Sequence, residues 1–226
     1  LRSTWGNHAF KNISDTISLK NISYTYPNGK NALKNVNIDF KAGQMIALVG
    51  QSGSGKSTIL DILAGLNKAS FGSIDIDGKN LYELKKESYQ EKIGYVDSNI
   101  DLFPYSIREN VLMFENKHDE HEYEKVLKIV NMDKIIQDLP DKDNTLVGDK
   151  GSKLSSGQKQ RLCIARALIK KPQIMIFDEA TNYLDEKNEK LILENISKYM
   201  GLQTIFFATH KMDILKYFDQ VLFIKD

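Results

Sequence analysis

The sequence predicts an α/β domain whose core is a parallel sheet covered by helices. Runs such as "QIMIFDEA" and "QTIFFATH" are continuously apolar over a strand's length, the pattern of strands buried on both faces. Strand-like and helix-like segments alternate along most of the chain, as in a sheet with crossover helices. The 226 residues, 41% hydrophobic and 27% charged, suffice for one such domain with a sizeable core.

In order, "LRSTWGNHAFKNISD" is mixed and aperiodic and reads as a linker over residues 1–15. "ISLKNISYTY" alternates and stops at the turn signal "PNG". "VNIDF" and "MIALVG" are further strands, and "KSTILDILAGL" has helical period. "SIDIDG" is a short strand closed by Asp-Gly, and "KIGYV" is another. From Ser106 to about Leu139 the pattern is helical, with Tyr123, Val126, Leu127 and Val130 on one face. The strand "QIMIFDEA", the amphipathic helix "EKLILENISKYM" and the strands "QTIFFATH" and "QVLFIKD" complete the chain.

The formal net charge is +1 with no long run of one sign, so no nucleic-acid partner is expected. The single cysteine, Cys163, excludes a disulfide framework and reads as a small buried apolar residue. No apolar run approaches the roughly 18 residues of a membrane span. The chain opens on Leu1 rather than Met and stops inside "VLFIKD", so a piece of a longer protein is expected.

"GQSGSGKST", Gly50, Gln51, Ser52, Gly53, Ser54, Gly55, Lys56, Ser57 and Thr58, follows one strand and opens a helix. It fits G-x-x-x-x-G-K-[ST], a phosphate-binding loop in its proper strand–loop–helix context. Glycines let the backbone wrap around phosphate oxygens, inward-pointing N–H groups and the positive helix end hold the anion, and Lys56 adds charge beside the β- and γ-phosphates. The Ser57 hydroxyl suits Mg²⁺, a hard cation that prefers oxygen. Asp178, ending "IMIFD", can orient a metal-bound water, and Glu179 after it can polarise the attacking water. "KLSSGQKQR" raises a further question, because Ser155 and Gln158 have capping-box spacing and would open a second anion-accepting helix start.

With "YTYP", "GQSGSGKS", "LSSGQ", "IMIFDE", "YLD" and "ATH" in that order, the chain resembles the ATP-binding cassette family, the ATPase domains of ABC transporters, over nearly all of its length after the linker. The resemblance implies a phosphate-loop NTPase (RecA-like) parallel-sheet core with an antiparallel β subdomain and an inserted helical subdomain at about 98–165, all within an ATPase domain over 16–226. It implies Mg²⁺-dependent ATP hydrolysis driving export of a substrate, with two cassettes packed head to tail around two ATP molecules. Ser155, Ser156, Gly157 and Gln158 would then hold the partner's nucleotide, which answers why one domain carries two anion loops. Tyr26 matches the aromatic stacked on adenine, Asp185 the loop that touches the partner, and His210 the switch histidine at the γ-phosphate. Catalysis is expected from Glu179, His210 and Lys56, and metal binding from Ser57 and Asp178.

Three positions depart from the family pattern. Ser156 stands where Gly is usual, and Leu146 where exporters usually have an acid in the "TLVGD" stretch. Ser98 replaces the Gln between core and helical subdomain, and a hydroxyl so short would serve the metal only through water. The exporter branch fits best, with a transmembrane domain fused N-terminally, a second ABC ATPase domain as partner and a place on the cytoplasmic face of the cell membrane. The Lys-, Asn- and Ile-rich composition suggests a bacterium. Among bacterial exporters, a peptide or bacteriocin exporter is the first expectation for the cargo. Open alternatives are an importer ATPase, a soluble cassette acting on ribosomes or DNA, and a nucleotide-binding switch that barely hydrolyses.

Overall fold

The computed structural model describes residues 5–113, 119–147, 154–201 and 203–225. The first four residues of the expected linker, and Gly148 and Asp149 of "TLVGD", lie outside the described residues. Tertiary contacts divide the chain into two compact units: Leu1–Tyr95, Pro172–Asp178 and Leu202–Asp226 form one, and Val96–Lys171 and Glu179–Gly201 the other.

The first unit begins with β1 (Thr16–Thr25), β2 (Asn31–Lys41), β3 (Met45–Val49), helix α1 (Lys56–Leu63), β4 (Phe71–Ile76), β5 (Lys79–Asn80), the short helix α2 (Lys86–Gln90) and β6 (Ile93–Val96). β1, β2, β4 and β5 make an antiparallel sheet in the order β2-β1-β4-β5. The alternation of β1 buries Ile17, Leu19 and Ile22. Between Leu19 and Ile22 the register shifts at Asn21, whose φ of 52° is left-handed, a conformation asparagine tolerates.

β3 also belongs to a five-stranded sheet, β6-β7-β8-β3-β9, with β7 (Ile174–Asp178), β8 (Thr204–Thr209) and β9 (Gln220–Phe223). The pairings β7–β8, β8–β3 and β3–β9 are parallel. β3 and β8 are buried at every residue, as their unbroken apolar runs require. Residues of both sheets and of α1, among them Ile17, Phe40, Leu60 and Phe206, share one apolar core, with Phe40 and Phe206 edge to face at 4.9 Å.

Residues 5–15 carry no helix or strand, yet they are tied down. Gly6 N–H donates to Tyr82 O at 2.7 Å, Lys85 N–H to His8 O at 2.7 Å, and Phe10 N–H to Ser88 Oγ at 2.9 Å. Trp5 packs edge to face on Tyr82 at 5.1 Å and faces Gly65, where a Cβ would come within 2.7 Å of its ring. Tyr89, fully buried, donates its hydroxyl to Leu63 O at 2.6 Å, so the same cluster grips the end of α1.

The second unit holds α3 (Ile107–Leu112), α4 (Glu120–Ile129), α5 (Asp133–Gln137), α6 (Ser156–Leu168) and α7 (Glu186–Met200). The helical stretch expected from Ser106 onward is therefore three helices. α3 starts at a Ser106–Glu109 capping box and stops at Met113, whose φ of 51° ends the helical run. Asn131, at φ 55°, separates α4 from α5. Tyr123, Val126, Leu127 and Val130 are all buried, as their common face requires. Cys163 is half-buried and forms no disulfide.

Candidate functional site

In the first unit, the parallel register brings three chain segments to one sheet edge. Val49 pairs with Thr209, and Asp178 with Ala208. The loop from Gly50, the acid ending β7 and His210 thus all emerge at the C-terminal ends of adjacent parallel strands, where open α/β sheets place their ligands. His210 is exposed there, and the following Lys211 N–H closes the turn onto Thr209 Oγ1 at 3.0 Å.

The loop enters α1 through Gly55 at φ 99°. A Cβ there would lie 2.9 Å from both Ala32 O and Leu33 Cδ2, so neither the backbone angle nor the packing admits another residue. Having no side chain, this N-cap leaves the first-turn amides of α1 uncapped. Lys56 is only 4% exposed, and its Nζ donates to Gly50 O at 2.8 Å and Gln51 O at 2.9 Å. The loop's own carbonyls therefore aim the buried ammonium, which would be unfavourable there without them.

Ser57 Oγ donates to Asp178 Oδ1 at 2.9 Å, joining residues far apart in sequence. A hydroxyl beside a carboxylate is the hard-oxygen donor set that fits Mg²⁺. Among the described residues no group of three His, Cys, Asp or Glu could hold a metal.

Sequence reasoning missed what holds the other side of Asp178. Tyr95, near the end of β6, places its hydroxyl 3.0 Å from Asp61 Oδ1 and 3.4 Å from Asp178 Oδ2. Burial pushes its phenol far above the ordinary range, and the Asp178 and Asp61 charges push it the same way. One signal was present: Asp61 is the lone charge within the apolar run "TILDILAG".

Tyr26 opens a tight turn, with Gly29 N–H donating to its carbonyl at 2.9 Å. Its hydroxyl lies 2.8 Å from Thr58 Oγ1, and Tyr24 meets its ring edge at 5.0 Å. The turn thus delivers an aromatic ring to the first turn of α1. A groove beside the loop is lined by Lys30, Ala32, Val36, Gly53, Ile59 and Lys225.

The second unit carries the other expected residues. Ser155 caps α6 in a full capping box: its Oγ accepts from Gln158 N–H at 3.2 Å, and Gln158 Oε1 accepts from Ser155 N–H at 2.8 Å. The box engages those two amides and leaves Ser156 and Gly157 without an intrahelical acceptor for theirs. Ser155 and Ser156 are exposed. Gly157 is required by packing, since a Cβ would sit 2.9 Å from Tyr183 O. Tyr183 N–H is in turn accepted by buried Gln160 Oε1 at 3.2 Å.

Asp185 caps α7, accepting from Asn188 N–H at 2.9 Å and Asn188 Nδ2 at 2.6 Å. Those bonds, side chain first, hold its carboxyl below the usual range. Arg161 is buried and donates to Asn131 O at 2.8 Å; burial lowers its pKa, opposed by the Asp185 charge. Ser98 is half-buried in a bend. The neighbouring Asp97 carboxylate is engaged by Asn99, with the backbone N–H at 2.9 Å and Nδ2 at 3.2 Å. Glu179 has φ 52°, a left-handed conformation that costs a non-glycine residue on the order of 1 kcal/mol and that proteins keep at functional sites. Its Oε2 accepts from Asn182 Nδ2 at 3.3 Å.

A phosphate loop on a parallel sheet, with a hydroxyl and a strand-end carboxylate behind it, defines a phosphate-loop NTPase fold. The profile of the family described as ABC transporter matches residues 33–182. Over 211 residues, 92% of the chain, it is 37% identical to ABC transporter B family member 1 of Arabidopsis thaliana, of which it spans 16%. Over 216 residues it is 33% identical to the beta-(1→2)glucan export ATP-binding/permease protein NdvA of Bartonella quintana, covering 96% of this chain and 36% of that one. A solved bacterial Atm1-family ABC exporter with ATP bound superposes with a TM-score of 0.90 at 30% identity, covering 97% of this chain and 39% of that one. The chain belongs to the ABC transporter family, as its nucleotide-binding domain, and spans well under half the length of these relatives.

Proposed function

We propose that the chain binds ATP with Mg²⁺ and hydrolyses it to power export of a substrate across a membrane, through ATP-driven head-to-tail pairing of two cassettes. The observation that carries this reading is the 2.9 Å bond between Ser57 Oγ and Asp178 Oδ1 behind a complete phosphate loop. Gly50 to Thr58 cradle the phosphates, with Lys56 supplying charge. The Tyr26 ring stacks on adenine while Thr58 holds its hydroxyl. Ser57 and Asp178 would hold the metal, which would supply charge neutralisation at the phosphates. Ser98, with its short hydroxyl, would serve it only through a water. Glu179 orients and deprotonates the attacking water, and His210 contacts the γ-phosphate. Ser155, Ser156, Gly157 and Gln158 offer the α6 helix start to the partner's nucleotide, and Asp185 touches the partner.

The matched relatives are longer, which supports a transmembrane domain fused upstream of a linker over 1–15, with the ATPase domain over 16–226 and its helical part at about 98–165. The chain then works at the cytoplasmic face of a membrane; no helix among the described residues is long and apolar enough to cross one. A bacterial host rests on composition, and a peptide cargo on the exporter branch; the Bartonella relative's name makes a glucan the alternative cargo class. The near-neutral charge favours no nucleic-acid partner.

Glu179→Gln keeps shape and removes the base. It should bind ATP, lose turnover by about 10²–10⁴, and accumulate an ATP-dependent dimer in size-exclusion chromatography. Turnover at the parent rate would rule Glu179 out as the base. Ser98→Gln should raise steady-state hydrolysis with little change in ATP affinity, and a rate no higher than the parent's removes the water-bridged assignment.

A further inference from the structure

Asp178 is held on both oxygens within the first unit. Oδ1 accepts from the Ser57 hydroxyl at 2.9 Å, and Oδ2 faces the Tyr95 hydroxyl at 3.4 Å. The same phenol lies closer, at 3.0 Å, to Asp61 Oδ1 on α1. Asp61 is itself fixed: its Oδ2 accepts from Asn67 Nδ2 at 3.1 Å, and its backbone carbonyl accepts from Leu66 and Asn67 N–H at 2.9 and 3.2 Å. The Tyr95 ring packs against the core, so the hydroxyl cannot wander.

A phenol carries one proton, and an ionised carboxylate only accepts. Two carboxylates therefore compete for one hydrogen bond, and turning the O–H about its C–O bond decides which receives it. A carboxylate held at one oxygen alone can still swing about its Cβ–Cγ bond. A second contact at the other oxygen fixes its plane.

We propose that Tyr95 is a positioning residue for the Asp178 carboxylate, its proton shared with Asp61, so that Oδ1 stays turned toward Ser57 where the metal would sit. This rests on the ATPase reading above and adds to it the residues that set the metal site's geometry. A tyrosine that merely filled core space would need no hydroxyl between two acids, and α1 would gain from an apolar residue at position 61.

The test measures metal affinity directly. The 226-residue chain is loaded with a non-hydrolysable ATP analogue, and Mn²⁺ is titrated and followed by electron paramagnetic resonance. Tyr95→Phe keeps the ring and should weaken Mn²⁺ binding by about 10-fold, the usual size of an outer-shell effect. Binding of the analogue in chelator, without metal, should stay at the parent level, which also reports that the variant is folded. Asp61→Asn replaces a charged competitor with a neutral acceptor, so the proton moves toward Asp178. The Tyr95→Phe effect should then be larger in the Asp61→Asn background, and this coupling is the sign of a shared proton. Ser57→Ala separates the two ideas. If it weakens Mn²⁺ binding while Tyr95→Phe does not, the Tyr95 proposal is overturned and the metal site stands. If Ser57→Ala also leaves Mn²⁺ affinity unchanged, the metal-site reading itself falls. Strict additivity of Tyr95→Phe and Asp61→Asn overturns the sharing. Should Tyr95→Phe fail to fold, Asp61→Asn alone decides: it must change Mn²⁺ affinity while sparing metal-free binding, and no change sinks the proposal.

Discussion

Helices α1 and α6 both begin beside glycine and serine, but their first amides are treated differently. α1 starts at Gly55, which has no side chain to cap with, and its loop turns a buried lysine back onto its own carbonyls. α6 starts at Ser155, which together with Gln158 engages two backbone N–H groups by itself. A helix start without a side-chain cap keeps its first amides available to an anion. A start that already has its capping box is preformed, and adds an anion without rearranging. The first arrangement suits a nucleotide bound tightly by one chain, and the second a surface that must be ready when another chain docks.

The largest expected effect breaks the first side of this contrast. Lys56→Ala removes the ammonium that the loop aims, and ATP binding by calorimetry should weaken by about 10–100-fold, the worth of a charged hydrogen bond. On the proposed reading, in which the α6 start serves the partner's nucleotide, Ser155→Arg should leave that affinity near the parent's. Each variant alone should be inactive in hydrolysis, while a mixture recovers part of the rate through one intact composite site. Mixed dimers that form without any recovery would sink the division of labour between the two helix starts.

Smaller effects sharpen the second side. Gly157→Ala pushes a methyl toward the Tyr183 carbonyl, and overpacking of this kind typically costs about 1–3 kcal/mol. Ser155→Ala removes a cap and should cost about 1 kcal/mol. Urea unfolding should rank the two in that order, with metal-free nucleotide binding unchanged in both. If Ser155→Ala is as stable as the parent, the capping box contributes nothing, and the preformed character of α6 must come from packing alone.

Much of this contrast can be read from sequence because each helix start is local. Nine consecutive residues spell the phosphate loop, and S-x-x-Q spells the capping box, so no tertiary contact is needed to recognise either. Asp178 is legible for a similar reason: an acid ending an unbroken apolar strand must surface at the sheet edge. What escapes is what several elements build together. Tyr95 and Asp61 meet Asp178 only when β6, α1 and β7 are side by side, and nothing in their spacing records it. α2 spans fewer than two turns and has no period to detect. Met113 ends α3 in a left-handed conformation that its residue type does not announce, so the sequence shows a helical stretch without its breaks. The opposite holds for residues 5–15, whose aperiodic sequence gives no warning that single, non-repeating hydrogen bonds fasten them to the region of Tyr82 and Ser88.

Those fastened residues include the chain's single tryptophan. Trp5 stands against Gly65 just beyond the end of α1, the helix whose opposite end is the phosphate loop, with the rings of Tyr82 and Tyr89 at 5.1 and 6.1 Å. Excited near 295 nm, it is therefore one emitter at one known place, and excited near 275 nm it collects energy from two tyrosines at van der Waals range. A displacement of α1 relative to Trp5 would change the gap to Gly65, and the emission would report it with no label attached.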